Sequence, residues 1–200
     1  MSINVCNDRS MASITSLPSG VSGGSLVLIS TVTASSSATV EFTSGIDSTY
    51  KEYQVHYIDV HPATDNVHFQ VNFRDGSTAY DATKTTTYFR AFQGEDDSSA
   101  ALGYDDGVDL AQSTAVQVLN QTVGADNDQS VSGILHLFDP SSTTFVKHFI
   151  ARGNRAQSAN FSVDDYVAGY CNTTAVIDGI QFSFASGNIG AGPFKLYGVV

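Results

Sequence analysis

Val67-His68-Phe69-Gln70-Val71-Asn72-Phe73-Arg74 alternates apolar and polar side chains without a break. Successive side chains of a β-strand point to opposite faces, so this period of two turns Val67, Phe69, Val71 and Phe73 toward a core and His68, Gln70, Asn72 and Arg74 toward solvent. Asp75-Gly76 follows, a pair with turn chemistry. It favours a hairpin back into a strand over 85–92, through a connection longer than two residues.

The same pattern of β-branched and aromatic runs bounded by turn residues recurs along the chain. It predicts further strands over 26–33, 38–43, 53–60, 115–120, 131–138, 145–151, 163–170, 177–184 and 194–199. Helical spacing is nearly absent; only 98–102 and 110–114 suit a single helical turn. Strands without intervening helices imply antiparallel pairing, so the expected architecture is all-β, an antiparallel two-sheet sandwich of jelly-roll type. Composition agrees: serine and threonine make up about a fifth of the chain and charged residues only 14%, which suits many half-exposed strands. Two hundred residues fit one domain and are enough to bury about 70% of the unfolded surface.

Residues 1–24 read differently, being rich in Ser, Gly and Asn, with isolated apolar anchors Ile14, Leu17 and Val21 around Pro18. Such a segment lacks the apolar surface to fold alone but can order when laid on another surface. The chain therefore divides into an extended N-terminal arm, 1–24, and a β-sandwich domain, 25–200. The glycine-rich 186–193 predicts a sharply turned connection before the last strand.

A formal net charge of -11 opposes binding to nucleic acid or to an anionic membrane, because phosphate recognition needs clustered Lys and Arg and the nine present are scattered. The acidity acts as a solubility device or as one half of a match to a basic partner. No basic segment with a following apolar run opens the sequence, and no uncharged stretch is long enough for a membrane helix, so synthesis and retention in the cytoplasm of the producing cell are expected. Cys6 and Cys171 lie far apart with no CxxC and no histidine at zinc spacing, which argues against a metal or redox site and leaves their pairing open.

The longest and most acidic loop is expected over 94–110, and it is the first place to look for a partner. Its candidate contact residues are Asp96, Asp97, Tyr104, Asp105 and Asp106. Calcium is the sharpest metal hypothesis for Asp105, Asp106 and Asp109, or for Asp126 and Asp128, but the EF-hand pattern is absent and the carboxylates fall into two groups. The loop is read as a solvated contact surface, with no metal and no cofactor.

His56, His61, His68, His136 and His148 alternate with apolar neighbours and are read as sheet residues. No Gly-x-Ser-x-Gly elbow occurs, and the glycines lack phosphate-loop spacing, so no enzyme activity is expected. Aromatic residues are only 10% and tryptophan is missing, which weakens a sugar-binding reading; Tyr80, Tyr88, Tyr104 and Tyr166 are read first as core-packing or subunit-contact residues and only second as stacking platforms for a sugar. The sequons at Asn120, Asn160 and Asn172 carry no meaning without a secretory signal.

Several segments carry a resemblance. They are Leu28-Ile29-Ser30-Thr31-Val32-Thr33-Ala34-Ser35, Phe42-Thr43-Ser44-Gly45-Ile46-Asp47-Ser48-Thr49-Tyr50, Ile58-Asp59-Val60-His61-Pro62, Phe138-Asp139-Pro140-Ser141-Ser142-Thr143-Thr144 and Ile177-Asp178-Gly179-Ile180-Gln181-Phe182, with Ser186-Gly187-Asn188-Ile189 and the ending Lys195-Leu196-Tyr197-Gly198. Together they resemble small virion structural proteins of marine tailed bacteriophages. The resemblance implies a non-enzymatic capsid decoration, fibre or tail-associated part, located on the virion and assembled in several copies. Other virion proteins, of the capsid or tail, are its implied partners, and a trimer is the preferred closed state. The alternative is a lectin-like module that binds a host-surface glycan or receptor. No catalytic residues come with the resemblance.

Overall fold

A computed structural model describes residues 25–200. It contains twelve strands: β1 (Leu26–Ser37), β2 (Val40–Phe42), β3 (Glu52–Pro62), β4 (Val67–Arg74), β5 (Lys84–Gly94), β6 (Ala100–Tyr104), β7 (Gln117–Val123), β8 (Val131–Phe138), β9 (Lys147–Gln157), β10 (Phe161–Cys171), β11 (Gly179–Phe184) and β12 (Ile189–Val199). Every pairing is antiparallel, as strands without helical crossovers require.

The strands form one continuous sheet. Its path is β1-β12-β3-β8-β9-β7-β4-β11-β2, and β10, β5 and β6 branch from β9. A single residue pair, Val123 with Gln157, joins β7 to β9. Beyond that pair the β7-β4-β11-β2 portion folds over the rest, giving a nearly closed, barrel-like sheet. The aromatic core shows the closure: Phe69 of β4 lies 5.2 Å from Tyr57 of β3 and 6.1 Å from Phe194 of β12, and it stacks on Phe182 of β11 at 5.7 Å and 9°. Phe73 meets Phe149 of β9 at 4.9 Å. Fully burying each such ring is worth about 1.5–3 kcal/mol, so these contacts hold the two portions together.

The alternation that opened the sequence reading holds for Val67, Phe69, Val71 and Phe73, all buried, but not for Asn72, which was expected in solvent and is buried too. The strand's expected pairing does not hold. β4 pairs with β7 and β11, whereas β5 pairs with β10 and β6, so the expected β4–β5 hairpin is absent. Gly76 does turn with a positive φ of 85°, but the chain then crosses between the two portions of the sheet, and one backbone bond, Ala82 N–H to the Phe73 carbonyl, links the strands. The helical turn expected over 98–102 is instead β6, which hydrogen-bonds along β5, and 110–114 is not helical. The last strand begins at Ile189 and not 194, with register irregularities through Gly190–Phe194 that absorb the glycines within the strand. All five histidines lie in strands. No helix among the described residues is long and apolar enough to cross a membrane.

Candidate functional site: the outer sheet face

The acidic segment is built otherwise than as one loop. Asp96 and Asp97 sit in the tight turn before β6, where the Asp96 carboxylate accepts the Ser98 N–H at 3.0 Å and that of Asp97 accepts Gln93 Nε2 at 2.9 Å. Asp105 and Asp106 lie at the other end of β6. Five strand residues separate the groups, roughly 16 Å at the usual rise. Asp105 is engaged by Arg90 at 3.5 Å and by Gln121 Nε2 at 3.1 Å, Asp106 is exposed, and the Tyr104 hydroxyl donates to Asp109. Among the described residues no group of three or more His, Cys, Asp or Glu is placed to hold a metal ion. Ile14, Leu17, Pro18, Val21 and Cys6 lie outside the described residues.

The register brings a different set of residues together. Cross-strand partners share a face, so the pairings of β6, β5, β10, β9, β8, β3 and β12 define a row on the outer surface: Tyr104, Phe89, Tyr166, Arg152, Ile134, His56 and Lys195. The next row runs Thr87, Ala168, Ile150, His136, Gln54, Tyr197 and, on β1, Leu28. Leu102 stands 72% exposed, Leu28 53% and Ile150 49%. Small side chains at Thr87 and Ala168 leave a shallow groove of about 430 Å³ on one side of Ile150, and a second of about 610 Å³ lies on the other between His136, Arg152, Asn154 and Tyr166.

Side chains on this face hold one another in place. Arg152 grips Asp164 through Nε at 3.1 Å and Nη2 at 2.7 Å, the fork geometry suited to a carboxylate, and the Tyr166 hydroxyl donates to the same carboxylate at 3.0 Å. That hydrogen bond to Asp164 raises the Tyr166 pKa above its ordinary value. Phe89 stacks on Tyr166 at 4.7 Å and 5°, and the Arg152 guanidinium lies 4.9 Å from the ring on its β9 side. Both faces of Tyr166 are thus covered, which leaves its edge and not its face for a partner. Farther along, Glu52 accepts from His136 Nδ1 at 2.8 Å and Gln54 Nε2 at 3.0 Å, and His56 lies 4.8 Å from Tyr197. Partial burial would raise the Glu52 pKa, but the His136 and Gln54 hydrogen bonds and the His136 charge outweigh it and bring it below the ordinary value.

The histidines that make side-chain hydrogen bonds contact Gln54, the Gln129 carbonyl, the Thr122 amide and Glu52, not a hydroxyl or thiol that they would activate. The proposed stacking tyrosines separate: Tyr104 and Tyr166 face outward, Tyr88 is buried on Asp165 at 2.7 Å, and Tyr80 packs half-buried near Glu41. Sequence reasoning missed Phe89, Ile150 and Arg152. Within 148–154, His148, Ile150, Arg152 and Asn154 all face outward, and Ile150 is the one apolar residue among them. No protein-family model, curated protein or solved structure matches this chain.

Proposed function

We propose that this chain is a non-enzymatic structural component of a bacteriophage virion, assembled in multiple copies, which meets its neighbours through the outer sheet face. The observation that carries the reading is the grouping on that face of exposed Phe89, Leu102, Tyr104 and Ile150 across β5, β6 and β9 of an otherwise strongly acidic protein. Apolar groups scattered singly need no partner, whereas a contiguous apolar and aromatic surface rimmed by polar residues is what a protein contact requires. The segment resemblance to phage virion proteins supplies the setting. In this reading the sheet is a flattened, jelly-roll-like sandwich, the 1–24 arm is the attachment, and the domain projects. A lectin-like role is the weaker reading, because Tyr166, covered by Phe89 and Arg152, has no open face on which a sugar ring would stack.

Sedimentation velocity on the intact chain and on Phe89→Lys and Ile150→Lys tests the contact. The expected result is a closed oligomer, preferably a trimer, that dissociates on either substitution while thermal stability stays nearly the same, since both side chains are substantially exposed. A monomeric wild type, or an oligomer indifferent to both changes, counts against this face. Binding of defined glycans on an array, lost in Tyr166→Ala, would move the lectin-like reading ahead.

A further inference from the structure

Asn72 of β4 and Lys84 of β5 meet in the interior, where Lys84 has 0% exposure and Asn72 5%. Lys84 Nζ donates to Asn72 Oδ1 at 2.6 Å and to the Ala82 carbonyl at 2.7 Å. The same Oδ1 accepts the Phe73 backbone N–H at 3.0 Å, while Asn72 Nδ2 donates to the Thr114 carbonyl at 3.3 Å. With a C=O bond of about 1.23 Å, Nζ lies no farther than about 3.8 Å from the amide carbon, close to the separation of reacting atoms in near-attack geometry.

Three features of the pocket favour attack over a passive hydrogen bond. Among the described residues no carboxylate hydrogen-bonds Nζ; Asp81 and Asp75 act on it through their charge. Burial consequently pushes the ammonium pKa down to about 8, although the neighbouring Cys171 and those two carboxylates work the other way. A fraction on the order of one tenth is then neutral amine at pH 7. The Phe73 N–H, finally, points at the oxygen on which negative charge would develop, as an oxyanion donor does.

We propose that Lys84 and Asn72 join in an intramolecular amide that ties β4 to β5 across the core. Neutral Nζ attacks the Asn72 amide carbon and the Nζ–C bond forms. The C–Nδ2 bond breaks, one Nζ proton passes to Nδ2, and ammonia leaves. Atoms and charge balance with no oxidant, metal or cofactor. The bond adds a covalent tie to the crossing at 75–83, which backbone bonds from Ala82 N–H to the Phe73 carbonyl and from Asn172 N–H to the Thr83 carbonyl otherwise fasten. A covalent tie between the two portions of the sheet suits a part that must survive outside a cell.

Intact mass spectrometry of the purified, denatured full-length chain tests this. The expected mass is that of the sequence less one ammonia. Trypsin should release a branched peptide of 52–74 joined to 75–90, because an acylated Lys84 is not a cleavage site. Lys84→Met and Asn72→Ala should each restore the mass expected from their own sequences. Linear peptides 75–84 and 85–90, with the full wild-type mass persisting after days at neutral pH, would overturn the proposal even if both variants failed to fold. An ammonia deficit that persisted in Lys84→Met would overturn it as well.

Discussion

Arg155 on β9 and Asp165 on β10 are both fully buried and meet through Nε at 2.8 Å. Tyr88 Oη at 2.7 Å and Asn120 Nδ2 at 2.8 Å complete the ring around the carboxylate, and Thr122 Oγ1 accepts from Arg155 Nη1 at 2.9 Å. Arg155→Met removes the cation and leaves the carboxylate with neutral donors alone. Breaking a buried pair in this way costs about 3–5 kcal/mol, because the surviving charge has neither water nor counterion. Against a total stability of about 5–15 kcal/mol, that is a large fraction. For a domain of this size it corresponds to a fall in Tm of about 6–20 °C. Asp165→Asn should be comparably harmful by stranding the guanidinium. The double variant should cost clearly less than the two singles added, with a coupling energy of about 2 kcal/mol or more. Urea denaturation followed by tyrosine fluorescence suits the assay, since the chain has nine tyrosines and no tryptophan. Singles that each cost under about 1 kcal/mol, or a strictly additive cycle, would refute the reasoning and mean that water reaches the pair.

Other consequences follow from the packing and the charges. Phe69→Asp and Phe182→Asp should each abolish cooperative melting, since both rings are fully buried, while Gln70→Asp stays mild. Gln181→Asp should cost up to about 1 kcal/mol, because Gln181 donates to Glu41 at 2.8 Å and the change sets like charges together. His68 has its pKa lowered from 6.5, first by burial and then by the Arg155 charge, with Asp105 opposing; its Nδ1 accepts the Thr122 N–H. The folded state thus holds fewer protons than the unfolded one, so this contribution is full above pH 6.5 and is lost as pH falls through the lower folded value. His68→Asn, which keeps an acceptor in place but cannot titrate, should flatten the stability profile below pH 6.5, and an unchanged profile would contradict the assignment. Replacing Asp96, Asp97 and Asp106 together by Asn should leave Tm nearly unchanged with or without calcium, and only the addition of Asp105→Asn, which loosens Arg90 and Gln121, should lower it.

Eleven of the twelve strands were legible because their alternation is local, and Val131–Phe138 matches the expected 131–138 at both ends. What escaped was pairing. Asp75-Gly76 carries local turn chemistry, but whether β5 returns beside β4 depends on where Phe73 and Tyr88 find their cores, a non-local matter. β6 was misread because Ala100-Ala101-Leu102 has weak β propensity and is fully exposed; pairing with Phe89–Gln93 holds it in the sheet. The outer face was invisible for the same reason, since Tyr104, Phe89, Tyr166 and Arg152 come from four strands and become neighbours only through register. Lys84, Lys147, Arg155 and Asp165 sit at inward positions of their strands, where the sequence alone reads charged residues as surface.

The central claim is that this chain is a virion part that contacts its neighbours through the outer face. Under the proposal a phage encodes the chain, and electron cryomicroscopy of purified particles of that phage tests the proposal most directly. The account predicts multiple symmetric copies of the domain, with Phe89, Tyr104, Ile150 and Arg152 covered by an adjacent protein chain. Particles that lack the chain, or that carry it with this face open to solvent and the opposite side engaged, would contradict the account.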